Sequence, residues 1–78
     1  MIVEDDHEIA RIVRQFLEQA GFDVTLVADG SIALTTFEQI KPALVILDQV
    51  LPTMSGNDIL REIKQTSTTP VIFLTVTC

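Results

Sequence analysis

Two segments of the sequence are apolar at every position, and each is followed by a side chain that can do chemistry. Residues 43–47 lead into Asp48, and residues 71–74 lead into Thr75. Apolar runs without alternation are typical of strands buried on both faces, as in parallel sheets covered by helices on both sides. Parallel neighbours must be joined by long crossovers, usually helices. The two segments therefore predict an α/β fold.

The other segments of the sequence predict the helices and strands that such a fold needs. Three helices are predicted: one between Asp6 as N-cap and Gly21 as C-cap, one from 31 to about 40 before Lys41-Pro42, and a short one after a cap in residues 55–58. In the first helix, apolar residues recur at three and four spacing, and we expect this stripe to be buried on the sheet. Two further strands are predicted, at residues 1–3 and, with alternating polarity, at 22–27.

Strands and helices thus alternate along the whole chain with short connections. This order predicts right-handed crossovers and a parallel three-layer α/β sheet. The 78 residues allow one domain at most. In open sheets of this kind, the functional crevice lies outside the carboxyl ends of the strands.

Composition excludes some classes of function. The formal net charge of -6 disfavours direct binding to nucleic acid or to an anionic membrane and suits cations or basic partners. The single cysteine, Cys78, cannot form an internal disulfide, and no signal peptide or membrane-spanning run is present. We therefore expect a cytoplasmic protein.

Three acidic residues follow the first and third predicted strands. If these strands are neighbours, Glu4, Asp5 and Asp48 converge in one pocket. Converging carboxylates repel one another unless a proton or cation lies among them, and no Lys or Arg occurs near these strand ends. A hard cation with few protein ligands points to Mg²⁺. The alternative is that these acids only solvate strand ends and cap helices, as we expect for Asp6.

Three segments carry a resemblance to a known family: residues 2–6, residues 45–52 through Gly56, and residues 70–75. In this order and at these distances, the chain resembles the receiver domain of two-component response regulators over its whole length. The resemblance implies a doubly wound, flavodoxin-like parallel sheet, here with strand order 2-1-3-4 and no fifth strand.

The resemblance also implies roles for individual residues. Asp48 would be the phosphoacceptor, receiving a phosphoryl group from a histidine kinase or a phosphotransfer protein. Asp5 would bind Mg²⁺ directly, together with Asp48 and the backbone carbonyl of Val50, while Glu4 would act mainly through water. Such a protein is a signalling switch and not a turnover enzyme.

Thr75 matches the family's switch hydroxyl, which hydrogen-bonds the phosphoryl group once it has arrived. Thr77 lies on the same predicted face and is the alternative position. At position 76 the family usually has a smaller residue. The larger side chain of Val76 would narrow access to the acceptor. Pro52 would stiffen the loop after the acceptor, and Gly56 would permit close passage into the third helix.

A family member continues with a fourth helix, a fifth strand ending in Lys, and a fifth helix, whereas this sequence stops after its fourth strand. We therefore expect an incomplete receiver domain over residues 1–78, whose fourth strand, 71–74, has an edge open to self-association. The alternative function is a pseudo-receiver or interaction fragment without phosphoryl chemistry. An aspartyl-phosphate phosphatase is disfavoured because Val50 occupies the position of its general acid.

Overall fold

A computed structural model of the chain describes residues 1–74. Its elements follow the order β1, Ile2–Val3; α1, His7–Gln19; β2, Leu26–Val27; α2, Gly30–Ile40; β3, Val45–Asp48; α3, Gly56–Thr66; and β4, Val71–Leu74. Thr75, Val76, Thr77 and Cys78 lie outside the described residues, so the expectations for them are not addressed by the structure.

The strands form one parallel sheet. Over residues 1–74 the sheet has four strands in the order β2-β1-β3-β4. Ile2 lies beside Leu26 and Ile46, and Val3 lies beside Val27 and Leu47. Right-handed crossovers on this order place α1 on one face and the α2 and α3 helices on the other. The predicted doubly wound α/β fold is therefore confirmed.

The hydrophobic core lies between the sheet and the α2–α3 pair. Its strand residues are Val3, Val27, Val45 and Leu47, and its helix residues are Ala33, Phe37, Ile59 and Ile63. Most of these side chains are almost completely removed from water. Burial of this apolar area is the main stabilising term for a chain of this size.

The predicted caps are formed at both ends of α1. The Oδ1 atom of Asp6 accepts hydrogen bonds from the backbone N–H groups of Glu8 and Ile9, at 3.0 and 3.2 Å. At the other end, Gly21 has φ +95°, and the N–H of Phe22 donates to the carbonyl of Leu17. This is the left-handed glycine cap that the sequence indicates.

The strand predicted over 22–27 is wrong in length. Only Leu26–Val27 is a strand, because β1 offers just two residues, Ile2 and Val3, for pairing on that side. The residues before Leu26 only approach the sheet, where the carbonyl of Thr25 accepts from the N–H of Ile2. Val27 is buried, whereas Leu26 is exposed.

Two other expectations need correction. The stripe on α1 is not buried throughout, since Ile12 and Phe16 are exposed, the latter by 70%. They lie on a side of the helix against which no other element of residues 1–74 is packed closely enough to cover them. In addition, α2 begins one residue early, at Gly30, because Asp29 is its N-cap, and the central strand begins at Val45 instead of 43.

None of the helices within residues 1–74 combines the length and the apolar character that crossing a bilayer requires.

Candidate functional site

The three acids predicted to converge do lie together at the carboxyl ends of β1 and β3. Val3 lies beside Leu47 in the sheet, so the residues that follow them meet at the same edge. One carboxylate oxygen from each of Glu4, Asp5 and Asp48 lies within 4.8 Å of the others. The sheet therefore brings three acidic side chains into one small cluster.

Glu4 is the buried member of this acidic cluster. Only 4% of the residue is exposed, and its Oε1 atom accepts a hydrogen bond from the backbone N–H of Asp6 at 3.0 Å. The pKa of Glu4 is raised to about 7, chiefly by burial and also by nearby Asp48, while the N–H of Asp6 opposes the rise. Without a cation, a large share of Glu4 is therefore protonated at neutral pH.

The other two acids are more accessible. Asp5 is exposed and Asp48 is half-buried. The Oδ1 atom of Asp48 accepts a hydrogen bond from the N–H of Val50 at 3.2 Å. In the described part of the chain, the ion pairs join Arg14 to Glu18 and Arg61 to Asp58, so neither brings a basic side chain to the cluster.

The donor set fits Mg²⁺. Oxygen ligands of Mg²⁺ lie about 2.0 to 2.1 Å from the ion, so two ligands of one ion are separated by at most about 4.2 Å. The three carboxylate oxygens lie within 4.8 Å of one another, so a small contraction of the cluster brings them to the spacing of ligands on one ion. One carboxylate acting through a bound water would also satisfy the spacing. Hard carboxylate oxygens in a negatively charged pocket are the ligands that this ion prefers.

The loop after Asp48 is held close to the cluster by a glycine. A Cβ atom on Gly56 would clash with the carbonyl oxygen of Asp48 and would lie 2.8 Å from the Cα atom of Gln49. The N–H of Gly56 donates to the carbonyl of Gln49 at 2.9 Å. These contacts bring the two ends of the loop together, and they support the expectation that a glycine is needed at this position.

Sequence reasoning missed a contact between this loop and α2. The hydroxyl of Thr53 donates to Oδ1 of Asp29, and the N–H of Ser31 donates to both side chains. The start of this helix near Ser31 was predicted from sequence. Its partner in the loop, more than twenty residues away, could not be identified without the fold.

Comparison with known proteins places these features in a family. Residues 1–77 match the response regulator receiver domain family. The chain is 39% identical over 75 residues to the DNA-binding response regulator MtrA of Mycolicibacterium smegmatis, and 41% identical over 75 residues to the regulatory protein VanRB of Enterococcus faecalis. These matches cover 96% of this chain but only 33% and 34% of the two relatives.

A solved structure shows the same similarity. The BeF3-activated N-terminal receiver domain of Klebsiella pneumoniae RstA matches with a TM-score of 0.93 and 30% sequence identity. The match covers 99% of this chain and 66% of the RstA chain. The present chain thus spans about a third of the curated relatives and two thirds of this receiver.

The sequence matches, the fold and the acidic cluster all indicate the same family. Receiver domains typically bind Mg²⁺ at an acidic pocket and interact with histidine kinases or phosphotransfer proteins. The chain belongs to the receiver domain family of two-component response regulators, whose members are phosphoacceptors in signal transduction.

Proposed function

We propose that Asp48 is the residue that accepts the phosphoryl group in this chain. The observation that carries the proposal is its place at the end of β3, half-buried and within 4.8 Å, oxygen to oxygen, of Glu4 and Asp5. Asp5 is exposed at the rim, and Glu4 is buried and partly protonated. Asp48 combines access from solvent with a carboxylate fixed by the N–H of Val50.

In this proposal the neighbouring acids hold Mg²⁺. Asp5 and Asp48 bind the ion directly, the backbone carbonyl of Val50 completes the protein ligands, and Glu4 acts mainly through water. When bound, the ion offsets the negative charge on the transferring group and on the acceptor. A cation at the cluster would also favour ionised Glu4, because an opposite charge lowers a carboxyl pKa.

The reaction is a transfer to the chain itself. An oxygen of Asp48 attacks the phosphorus of a phosphohistidine, the nitrogen–phosphorus bond breaks, and the imidazole leaves as its nitrogen takes up a proton. The product is an acyl phosphate on Asp48, which water later hydrolyses. The chain therefore acts as a phosphoacceptor switch and turns over no small substrate.

The direct donor would be a histidine kinase or a phosphotransfer protein in the cytoplasm. MtrA is named as a DNA-binding regulator, but we assign no nucleic-acid contact to this chain, whose formal net charge is -6. The role of Thr75 as switch hydroxyl stays a prediction. The pseudo-receiver alternative gains no support from the comparisons.

We also propose that the chain self-associates through β4. Within residues 1–74, β4 is paired only with β3, and Ile72 on it is 53% exposed. An apolar strand edge favours pairing with another chain. Sedimentation velocity should show association that grows with concentration and that Ile72→Lys weakens. A monomer at all concentrations would contradict this part of the proposal.

The acceptor role can be tested by intact mass. The chain is incubated with acetyl phosphate and Mg²⁺, beside an Asp48→Asn variant and a sample containing EDTA. We expect one phosphoryl adduct that requires both the metal and Asp48. A folded chain that forms no adduct, or an Asp48→Asn variant that forms the same adduct, would contradict the proposal.

A further inference from the structure

The loop between β3 and α3, residues 49–55, is attached to the first turn of α2. The Thr53 hydroxyl donates a hydrogen bond to Oδ1 of Asp29, the N-cap of α2. The same hydroxyl oxygen accepts from the N–H of Ser31 at 3.2 Å, and Asp29 accepts from that N–H at 2.9 Å. One side chain of the loop thus takes part in capping a helix that lies elsewhere in the chain.

The backbone of the loop also lies directly against α2. A Cβ atom on Gly30 would be 3.1 Å from the Cβ atom of Met54 and 3.3 Å from its carbonyl oxygen. This spacing leaves room for a glycine, whereas a larger residue at position 30 would have to displace the loop. Close packing between the next residues along the chain, Met54 in the loop and Gly30 in α2, therefore reinforces the contact between Thr53 and Asp29.

The same loop carries Val50, whose carbonyl is the proposed backbone ligand of Mg²⁺. Val50 itself is 79% exposed, so its own side chain does little to fix it. Its position depends on Asp48 before it, on buried Leu51 after it, and on the attachment of the loop further along. Thr53, three residues after Val50, provides a side-chain attachment in addition to the backbone hydrogen bond from Gly56 to Gln49.

From these contacts we infer that Thr53 is a positioning residue for the metal site. Its hydroxyl joins the loop to the Asp29 cap and so holds the Val50 carbonyl ready beside the acidic cluster before Mg²⁺ arrives. Without the hydroxyl, the loop samples more positions, and the binding of Mg²⁺ must then also order the loop. This inference rests on the proposed function, because it assumes that Mg²⁺ binds at Glu4, Asp5 and Asp48.

The size of the effect follows from the interaction removed. A hydrogen bond of this kind is worth a factor of about three to ten in an equilibrium constant. We expect Thr53→Val, which has nearly the same shape, to weaken Mg²⁺ binding by about that factor. Thr53→Ser keeps the hydroxyl and should bind Mg²⁺ within about twofold of the unaltered chain.

A matched control is available on α2. The hydroxyl of Thr36 donates to the carbonyl of Ile32 at 2.8 Å, one turn back along its own helix. Thr36→Val therefore removes the same atoms and one hydrogen bond, but outside the loop and the acidic cluster. It should leave the affinity for Mg²⁺ unchanged.

The experiment is a titration of the ¹⁵N-labelled 78-residue chain with MgCl₂, followed through the amide signals of Asp5, Asp48 and Val50. Amide hydrogen exchange over residues 49–54, measured without metal, gives a second readout that does not depend on phosphorylation. Thr53→Val and Thr53→Ala should both speed this exchange, and Thr53→Ser should not. The spectra and melting temperatures identify any variant that has lost the fold, and the alanine variant serves if the valine variant has.

The outcomes separate the two claims. If the unaltered chain binds Mg²⁺ and Thr53→Val binds it equally well, the positioning role is wrong while the metal site stands. If Thr53→Ser is as weak as Thr53→Val, or if Thr36→Val is equally weak, the hydroxyl is not the cause and the inference fails. A chain that binds no Mg²⁺ would overturn both the proposed site and this inference.

Discussion

The two faces of the sheet differ in how completely they are covered. On the face toward α2 and α3, one row across the sheet runs through Val27, Val3, Leu47 and Phe73, of which the first three are buried and the last is half-buried. The adjacent row points to the α1 face, and its two ends, Leu26 and Ile72, are exposed. Ile2, in the middle of this second row, is buried, so the two rows differ mainly at their ends, where the exposed side chains contribute less to stability.

The cause is the number of helices on each face. Two helices lie over the first row, whereas within residues 1–74 the other face has α1 alone. That helix buries Ala10 but leaves Ile12 and Phe16 exposed. On the covered face, the loop after Asp48 is attached to α2 and α3, so this face anchors the site.

The largest expected effect compares one substitution in the two rows. Leu47→Ala should lower the free energy of unfolding by about 3 to 4 kcal/mol, because it leaves a cavity in a fully buried position. Leu26→Ala should cost less than about 1 kcal/mol, because the side chain is already 40% exposed. Urea unfolding followed by far-UV circular dichroism measures both. Equal losses would show that the two faces are equally covered.

The second effect concerns Glu4, which lies at the carboxyl end of β1. The pKa of Glu4 rises on folding from 4.5 to about 7, so the folded chain keeps a proton that the unfolded chain has lost. In EDTA, the free energy of unfolding should therefore fall as the pH rises from about 4.5 to about 7, by about 2 to 3 kcal/mol, and then level off.

Two controls sharpen the pH prediction. Glu4→Gln removes the titrating group, so its stability should change much less over the same interval. Added Mg²⁺ should reduce the fall in the unaltered chain, because the cation favours the ionised carboxylate. Unfolding curves at pH 5, 6, 7 and 8 test this, and an identical pH dependence in the two chains would rule out Glu4 as its source.

The smallest effect is expected on the poorly covered face. Phe16→Ser removes a large side chain that is 70% exposed and should change the free energy of unfolding by no more than about 0.5 kcal/mol. Thermal unfolding at several protein concentrations measures it. A large loss that grows with concentration would mean that Phe16 is covered by a second copy of the chain.

Sequence alone predicted the parts of the fold that depend on local signals. The unalternating run before Asp48 identified the central strand, and Asp6, Gly21 and Ser55 marked helix ends that the structure confirms. The convergence of the three acids followed from strand order. A pattern of apolar residues does not say whether another element covers them, so the exposure of Phe16 was not foreseen.

Other features depend on partners that are distant in sequence. The second strand is short because its pairing partner, β1, is short, which its own alternating residues cannot reveal. The contact of Thr53 with Asp29 joins residues 24 positions apart. Such contacts follow from how α2 and the loop are placed in three dimensions, and no spacing rule encodes them.

The most direct test of the account is to locate the phosphoryl group. After incubation with acetyl phosphate and Mg²⁺, borohydride reduces an acyl phosphate to an alcohol, and peptide mass spectrometry then identifies the modified residue. The account predicts reduction at Asp48 alone, lost when EDTA is present. Modification at Asp5 or another acid, or none in a folded and metal-bound chain, would contradict it.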